Sequence, residues 1–228
     1  MTKRLVWDLP LRLFHWLFVL TIAASWGTAK LGVEWMQYHF YLGYFMIGLL
    51  TFRIIWGFIG PRHARFTSFI KGPTGVLTYA QQMFSADGHA SIGHNPVGGL
   101  MVILMLLLAV AQVTTGLFTT DAVIWTGPYY TTVSKNTSSL LSTVHNINFN
   151  VILGAVALHL LAIGYYRMVK KQNLVSAMFT GLKPAAIVPE HEAISHSQLL
   201  KALIVSVVSA GFVYWIVTSA PPVPDNVF

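Results

Sequence analysis

The chain has 228 residues, of which 55% are hydrophobic and only 9% charged, and its mean hydropathy is +0.63. Soluble domains carry about a quarter of charged residues, so this composition excludes a water-soluble globule and points to lipid. Cysteine is absent, which excludes disulfides, iron–sulfur clusters, thioether-attached haem and thiol nucleophiles, and leaves nine histidines as the candidate metal ligands.

A hydrocarbon core of about 30 Å needs roughly 20 helical residues, and the sequence predicts five such spans. They are Leu11–Thr28, Tyr38–Gly57, Pro96–Phe118, Leu140–Tyr166 and Leu199–Thr218. Backbone groups cannot stay unpaired in lipid, and runs this long without period-two alternation are helices, so the fold class is all-α and integral to the membrane. Gly57, Gly60 and Pro61 are expected to end the second span, and Asn95-Pro96 to start the third as a capping side chain before a first-turn proline. Between them Thr74–Phe84 has apolar residues at helical spacing and is expected to lie on the membrane surface as a connector. The first apolar stretch carries Arg12 and His15 and has no small-x-small site after Trp26, so it reads as a retained span rather than a cleaved signal peptide.

The net charge of +7 is distributed asymmetrically. Lys3, Arg4, Arg12, Arg62, Arg65, Lys71, Arg167, Lys170, Lys171 and Lys183 fall on one side of the spans, against Lys30 and Lys135 on the other. The positive-inside rule therefore puts the N-terminus in the cytoplasm and the tail Pro221–Phe228 outside, in a multi-pass membrane protein. Topology accounts for the basic excess, and no nucleic-acid partner is expected.

Ionisable residues inside lipid are costly, so the intramembrane histidines carry the functional reading. His15 lies near the cytoplasmic end of span one, His39 near the outer end of span two, and span four holds His145 near its outer end and His159 deeper. The last two are 14 residues apart. That spacing turns the helix by about 1400°, returning to within about 40° of the same face, and separates them by about 21 Å. They cannot share one ion, but each can serve one of two sites, His15 with His159 and His39 with His145. Two axial imidazoles per iron are what b-type haem needs, whereas zinc prefers four converging ligands. Gly43 and Gly154 would let a flat macrocycle approach the backbone. Met46, Met101 and Met105 read as packing.

Outside these four, Arg53 is deep enough to need a partner, and a haem propionate is one. His63, between Arg62 and Arg65, reads first as part of a basic loop and second as a group for propionates or quinone protons. His94 reads as local capping beside Asn95, with a hydrogen bond to a quinone carbonyl as the sharper alternative. His89, His191 and His196 are expected to be solvated, and Trp125, Tyr129 and Tyr130 to form an interfacial belt.

Three stretches together are similar to the bacterial di-haem cytochrome b-561 family, which includes the cytochrome b subunits of membrane nickel–iron hydrogenases. They are Val6-Trp7-Asp8-x-Pro10-x-Arg12-x-Phe14-His15-Trp16, the run from Phe52-Arg53-x-x-Trp56-Gly57-Phe58 to Arg62-His63-Ala64-Arg65-Phe66, and Gly93-His94-Asn95-Pro96-x-Gly98-Gly99. The resemblance spans about 4–181 and implies a four-helix bundle with two haems b, ligated by His15, His39, His145 and His159, exchanging electrons with membrane quinone. It divides the chain into a haem-binding bundle, 1–182, and a segment 183–228 that adds a linker, a fifth transmembrane helix and a tail. The implied role is an electron-transfer subunit of a quinone-linked oxidoreductase whose periplasmic partner is a c-type cytochrome or hydrogenase; a homo-oligomer is left open. A stand-alone superoxide:quinone oxidoreductase is the enzyme alternative. A non-redox haem or metal transporter is disfavoured, because the spans hold few other polar groups and no half-helix interruptions.

Overall fold

A computed structural model describes residues 2–82, 91–120 and 124–222 of the chain. Met83, Phe84 and His89, and the tail from Val223, lie outside the described residues.

Among the described residues five helices are long and apolar enough to cross a membrane, and the fold is an all-α membrane bundle. They are α1 (Leu9–Lys30), α2 (Met36–Ile59), α5 (Pro96–Gly116), α6 (Lys135–Met168) and α8 (Leu199–Thr218). Short helices α3 (Phe66–Phe69), α4 (Pro73–Gln82) and α7 (Leu174–Thr180) lie between them, and β1 (Lys3–Leu5) pairs antiparallel with β2 (Leu182–Pro184). The α4 segment matches the expected connector up to Gln82.

Helix ends depart from the apolar stretches where capping decides them. The first helix begins at Leu9 because Asp8 Oδ1 accepts the Leu11 N–H at 2.9 Å, which offsets a donor otherwise left without a partner. The fourth long helix starts at Lys135, earlier than expected, because Ser134 Oγ accepts the Thr137 N–H at 3.1 Å and the polar first turns can stand in water. Gly57 does not end α2: the helix continues to Ile59, and the Gly60 N–H bonds the Trp56 carbonyl at 2.9 Å just before Pro61 turns the chain away. Gly57 has another reason to be small, since a Cβ there would collide with the Phe66 ring. At the start of α5, Asn95 Oδ1 accepts from Gly98 N at 2.7 Å, the cap expected from its place before Pro96.

The chain forms two compact units. The first comprises Met1–His15, Arg53–Met105 and Ala155–Val205. Its centre is Val6, Trp56, Ala64, Phe69 and Val188, all 2% exposed or less. The amides of Val6 and Trp7 both bond the Gly181 carbonyl, at 2.9 and 3.1 Å, and Ile194 N bonds Leu5 O at 3.0 Å, so the segment after α7 is strapped to the N-terminus. Gly181 has φ +78°, a left-handed conformation that closes α7 and that a side chain would strain. The second unit comprises Trp16–Phe52, Leu106–Gly154 and Ser206–Phe228. In it Tyr129 donates to the Ile216 carbonyl at 2.8 Å, tying α8 to the loop before α6. Trp125 donates to Val33 O at 3.1 Å and lies 5.9 Å from the Phe40 ring, centroid to centroid.

Candidate functional site

In the second unit His39, in the first turn of α2, and His145, on α6, lie side by side with ring centroids 6.3 Å apart and planes 75° apart. His39 Nδ1 is 2.9 Å from the Ser25 carbonyl, and His145 Nδ1 is 3.0 Å from the Gln112 carbonyl. A carbonyl can only accept, so Nδ1 carries the proton on both rings, and each Nε2 keeps a lone pair for a metal. Asn148, one turn beyond His145, donates to Leu108 O at 2.9 Å and to Gln112 Oε1 at 2.7 Å, which fixes the register of α6 against α5. Gly116 leaves room for the His145 ring, because a Cβ there would stand 3.1 Å from its Cε1. A Cβ added at Gly43 or Gly154 would meet nothing within 4 Å.

Two imidazoles bound across one metal need centroids about 6 Å apart, from two bonds of about 2 Å and two ring radii of about 1 Å. The pair has that separation. No cluster of three or more metal-ligating residues exists among the described residues.

The first unit brings His15 and His159 within electrostatic reach of one another, both half-buried. In the same unit Arg53 is 1% exposed, with its guanidinium carbon 4.8 Å from the Phe66 ring centroid. Its Nη1 is sealed from solvent and has no hydrogen-bond partner among the described residues. A buried cation with a spare donor suits an anionic group such as a carboxylate.

His94 departs from the expectation of local capping: Asn95 alone makes the cap, and His94 is clasped between aromatic rings. Its ring centroid is 4.7 Å from Trp7 and 4.8 Å from Phe69, and its Nδ1 is sealed without a hydrogen-bond partner among the described residues. Burial first, and then the positive charges of Arg53 and Lys183, push its pKa down to about 3. His63 likewise does more than belong to a basic loop. It is buried, with Nε2 2.8 Å from the Glu192 carbonyl, and burial holds its pKa below the ordinary value. Arg62 bonds the Glu192 carboxylate at 2.5 Å. His191 and His196 are exposed, as expected of solvated residues.

Several contacts escaped sequence reasoning. Asp8 Oδ1 accepts from Trp56 Nε1 at 3.0 Å as well as from the helix amide, and burial raises its pKa. Lys183 donates to Ser91 O at 3.0 Å with its ammonium 5.9 Å from the Trp7 ring, and burial lowers its pKa to about 8. Asn95 Nδ2 donates to the Tyr166 hydroxyl at 2.7 Å, and that hydroxyl is 2.9 Å from the Tyr79 hydroxyl. Only Asp8 and Asn95 left a sequence signal, a polar side chain just before a helix-starting proline segment.

A family model described as prokaryotic cytochrome b561 matches residues 6–181. The chain belongs to the prokaryotic cytochrome b561 family. As a cytochrome b561 it is a multi-pass membrane protein of haem b electron transfer. No curated protein and no solved structure matches it. The matched region takes in every intramembrane histidine and stops before α8.

Proposed function

We propose that this cytochrome b561 holds two haems b by bis-histidine ligation, His39 with His145 and His15 with His159, and passes electrons between membrane quinone and a periplasmic redox partner. The observation that carries the reading is the 6.3 Å separation of the His39 and His145 rings, with Nδ1 of each turned to a carbonyl. Haem, when bound, supplies one-electron chemistry, and the protein sets its position and potential. On this reading, which the positive-inside count of the sequence supports, the His39–His145 pair lies toward the periplasm and His15 and His159 toward the cytoplasm of a bacterial inner membrane. On that orientation a c-type cytochrome or hydrogenase docks near the loop that carries Trp125, Tyr129 and Tyr130.

Arg53, buried with a spare donor, binds a propionate of the haem held by His15 and His159. His94 presents its sealed Nδ1 to a quinone oxygen, and His63 links that position to the surface through Glu192. An imidazole held neutral by burial keeps one ring N–H to donate as a hydrogen bond to a quinone oxygen.

Pyridine haemochrome counting on the purified chain tests the ligand assignment. His39→Ala and His145→Ala should each leave the same single haem, and His15→Ala and His159→Ala the other one. Members of a pair that abolish different haems, or variants that all retain two, would refute it. His94→Ala should slow quinone turnover with both haem spectra intact. Purification from native membrane should bring down the periplasmic partner.

A further inference from the structure

The two ligands of the second unit are held by the same device. The carbonyl facing His145 belongs to Gln112, four residues before α5 ends at Gly116, and the one facing His39 belongs to Ser25, five residues before α1 ends at Lys30. Each lies near the carbonyl end of its helix, where the helix dipole is negative. Beside each carbonyl stands a buried threonine: Thr115 Oγ1 is 3.0 Å from Gln112 O, and Thr28 Oγ1 is 3.1 Å from Ser25 O.

Thr115 goes further than Thr28. Its hydroxyl donates to Ala111 O at 2.7 Å, so the oxygen lone pairs remain available, and that oxygen is 3.2 Å from His145 Nδ1. The His145 Nδ1–H is thus shared between a main-chain carbonyl and a threonine hydroxyl. Thr115 is only 7% exposed, so no water stands ready to replace it. An imidazole that donates strongly at Nδ1 becomes a stronger electron donor at Nε2, and a stronger axial donor favours ferric over ferrous iron.

We propose that Thr115 is a positioning residue for His145 that lowers the reduction potential of the haem held by His39 and His145. This rests on those two histidines being the ligands. In the full-length protein loaded with both haems, a spectroscopic redox titration of Thr115→Val should show one midpoint potential raised and the other unmoved. Thr115→Ser, which restores the hydroxyl, should return it. Where the valine variant does not load haem, Thr115→Ala removes the same hydroxyl with less bulk and is compared with Thr115→Ser. Equal potentials in the hydroxyl-bearing and hydroxyl-free variants, or a shift of both haems together, would overturn the proposal. A His145→Ala protein that keeps two haems would instead overturn the ligand assignment beneath it.

Discussion

The rings of His39 and His145 lie 6.3 Å apart, centroid to centroid, with their planes 75° apart. Were His39 and His145 to hold one haem at that angle, the two iron dπ orbitals would lie close in energy and the ferric protein would give a strongly anisotropic low-spin signal with one large g value. The ferric protein is expected to show that signal, and His145→Ala to lose it. A rhombic spectrum typical of parallel planes would mean that the rings rotate when iron is bound.

Asp8 joins α1 to the interior of the first unit through one oxygen, which accepts from both Leu11 N and Trp56 Nε1. Asp8→Ala should destabilise by about 2–4 kcal/mol, as it removes a helix cap and one acceptor of the buried Trp56 indole N–H. Asp8→Asn keeps the accepting oxygen and should cost far less, since burial already raises the carboxyl pKa and disfavours its charge. Thermal unfolding in detergent distinguishes the two. Equal losses would show that the charge, rather than the acceptor, is what the site requires.

The five spans were legible because lipid forbids unpaired backbone and demands about 20 apolar residues. Their ends were less so, since Asp8 and Ser134 extend helices by capping, which hydropathy does not register. Pairing histidines by depth needs only helix geometry, so His39 and His145 could be named together from sequence. The clasp of His94 by Trp7 and Phe69 could not, because it depends on how loops distant in sequence fold over one another. The glycines divide likewise: Gly60 stands at a helix end, whereas Gly57 answers to Phe66, nine residues away.

Gly57 therefore tests the link between motif and site. A Cβ there collides with the Phe66 ring, the same ring that lies 4.8 Å from the Arg53 guanidinium. Gly57→Ala is expected to cost about 1–3 kcal/mol through overpacking, although alanine is the better helix former. Gly57→Ala combined with Phe66→Leu should recover part of that loss. A Gly57→Ala protein as stable as the parent would show that Phe66 moves freely and does not hold Arg53.

The last prediction concerns acid. His94 has its pKa pushed to about 3 from the ordinary 6.5, by burial first and by nearby cations second. The unfolded chain then binds more protons than the folded one between those values, so stability is lost as pH falls from about 6.5 toward 3. His63, also held down by burial, acts in the same direction. Asp8 opposes them: its raised pKa lets the folded state take up a proton more readily, which adds stability on acidification. Lys183, held near 8, is already charged throughout this window. The contribution of His94 is isolated by the slope of melting temperature against pH, compared between the parent protein and His94→Gln, which has no titrating ring. The parent should fall more steeply below pH 6.5, whatever the difference in their melting temperatures at neutral pH. Parallel slopes would mean that His94 meets solvent or a proton acceptor in the folded protein, and would remove the sealed neutral imidazole on which its proposed contact with quinone depends.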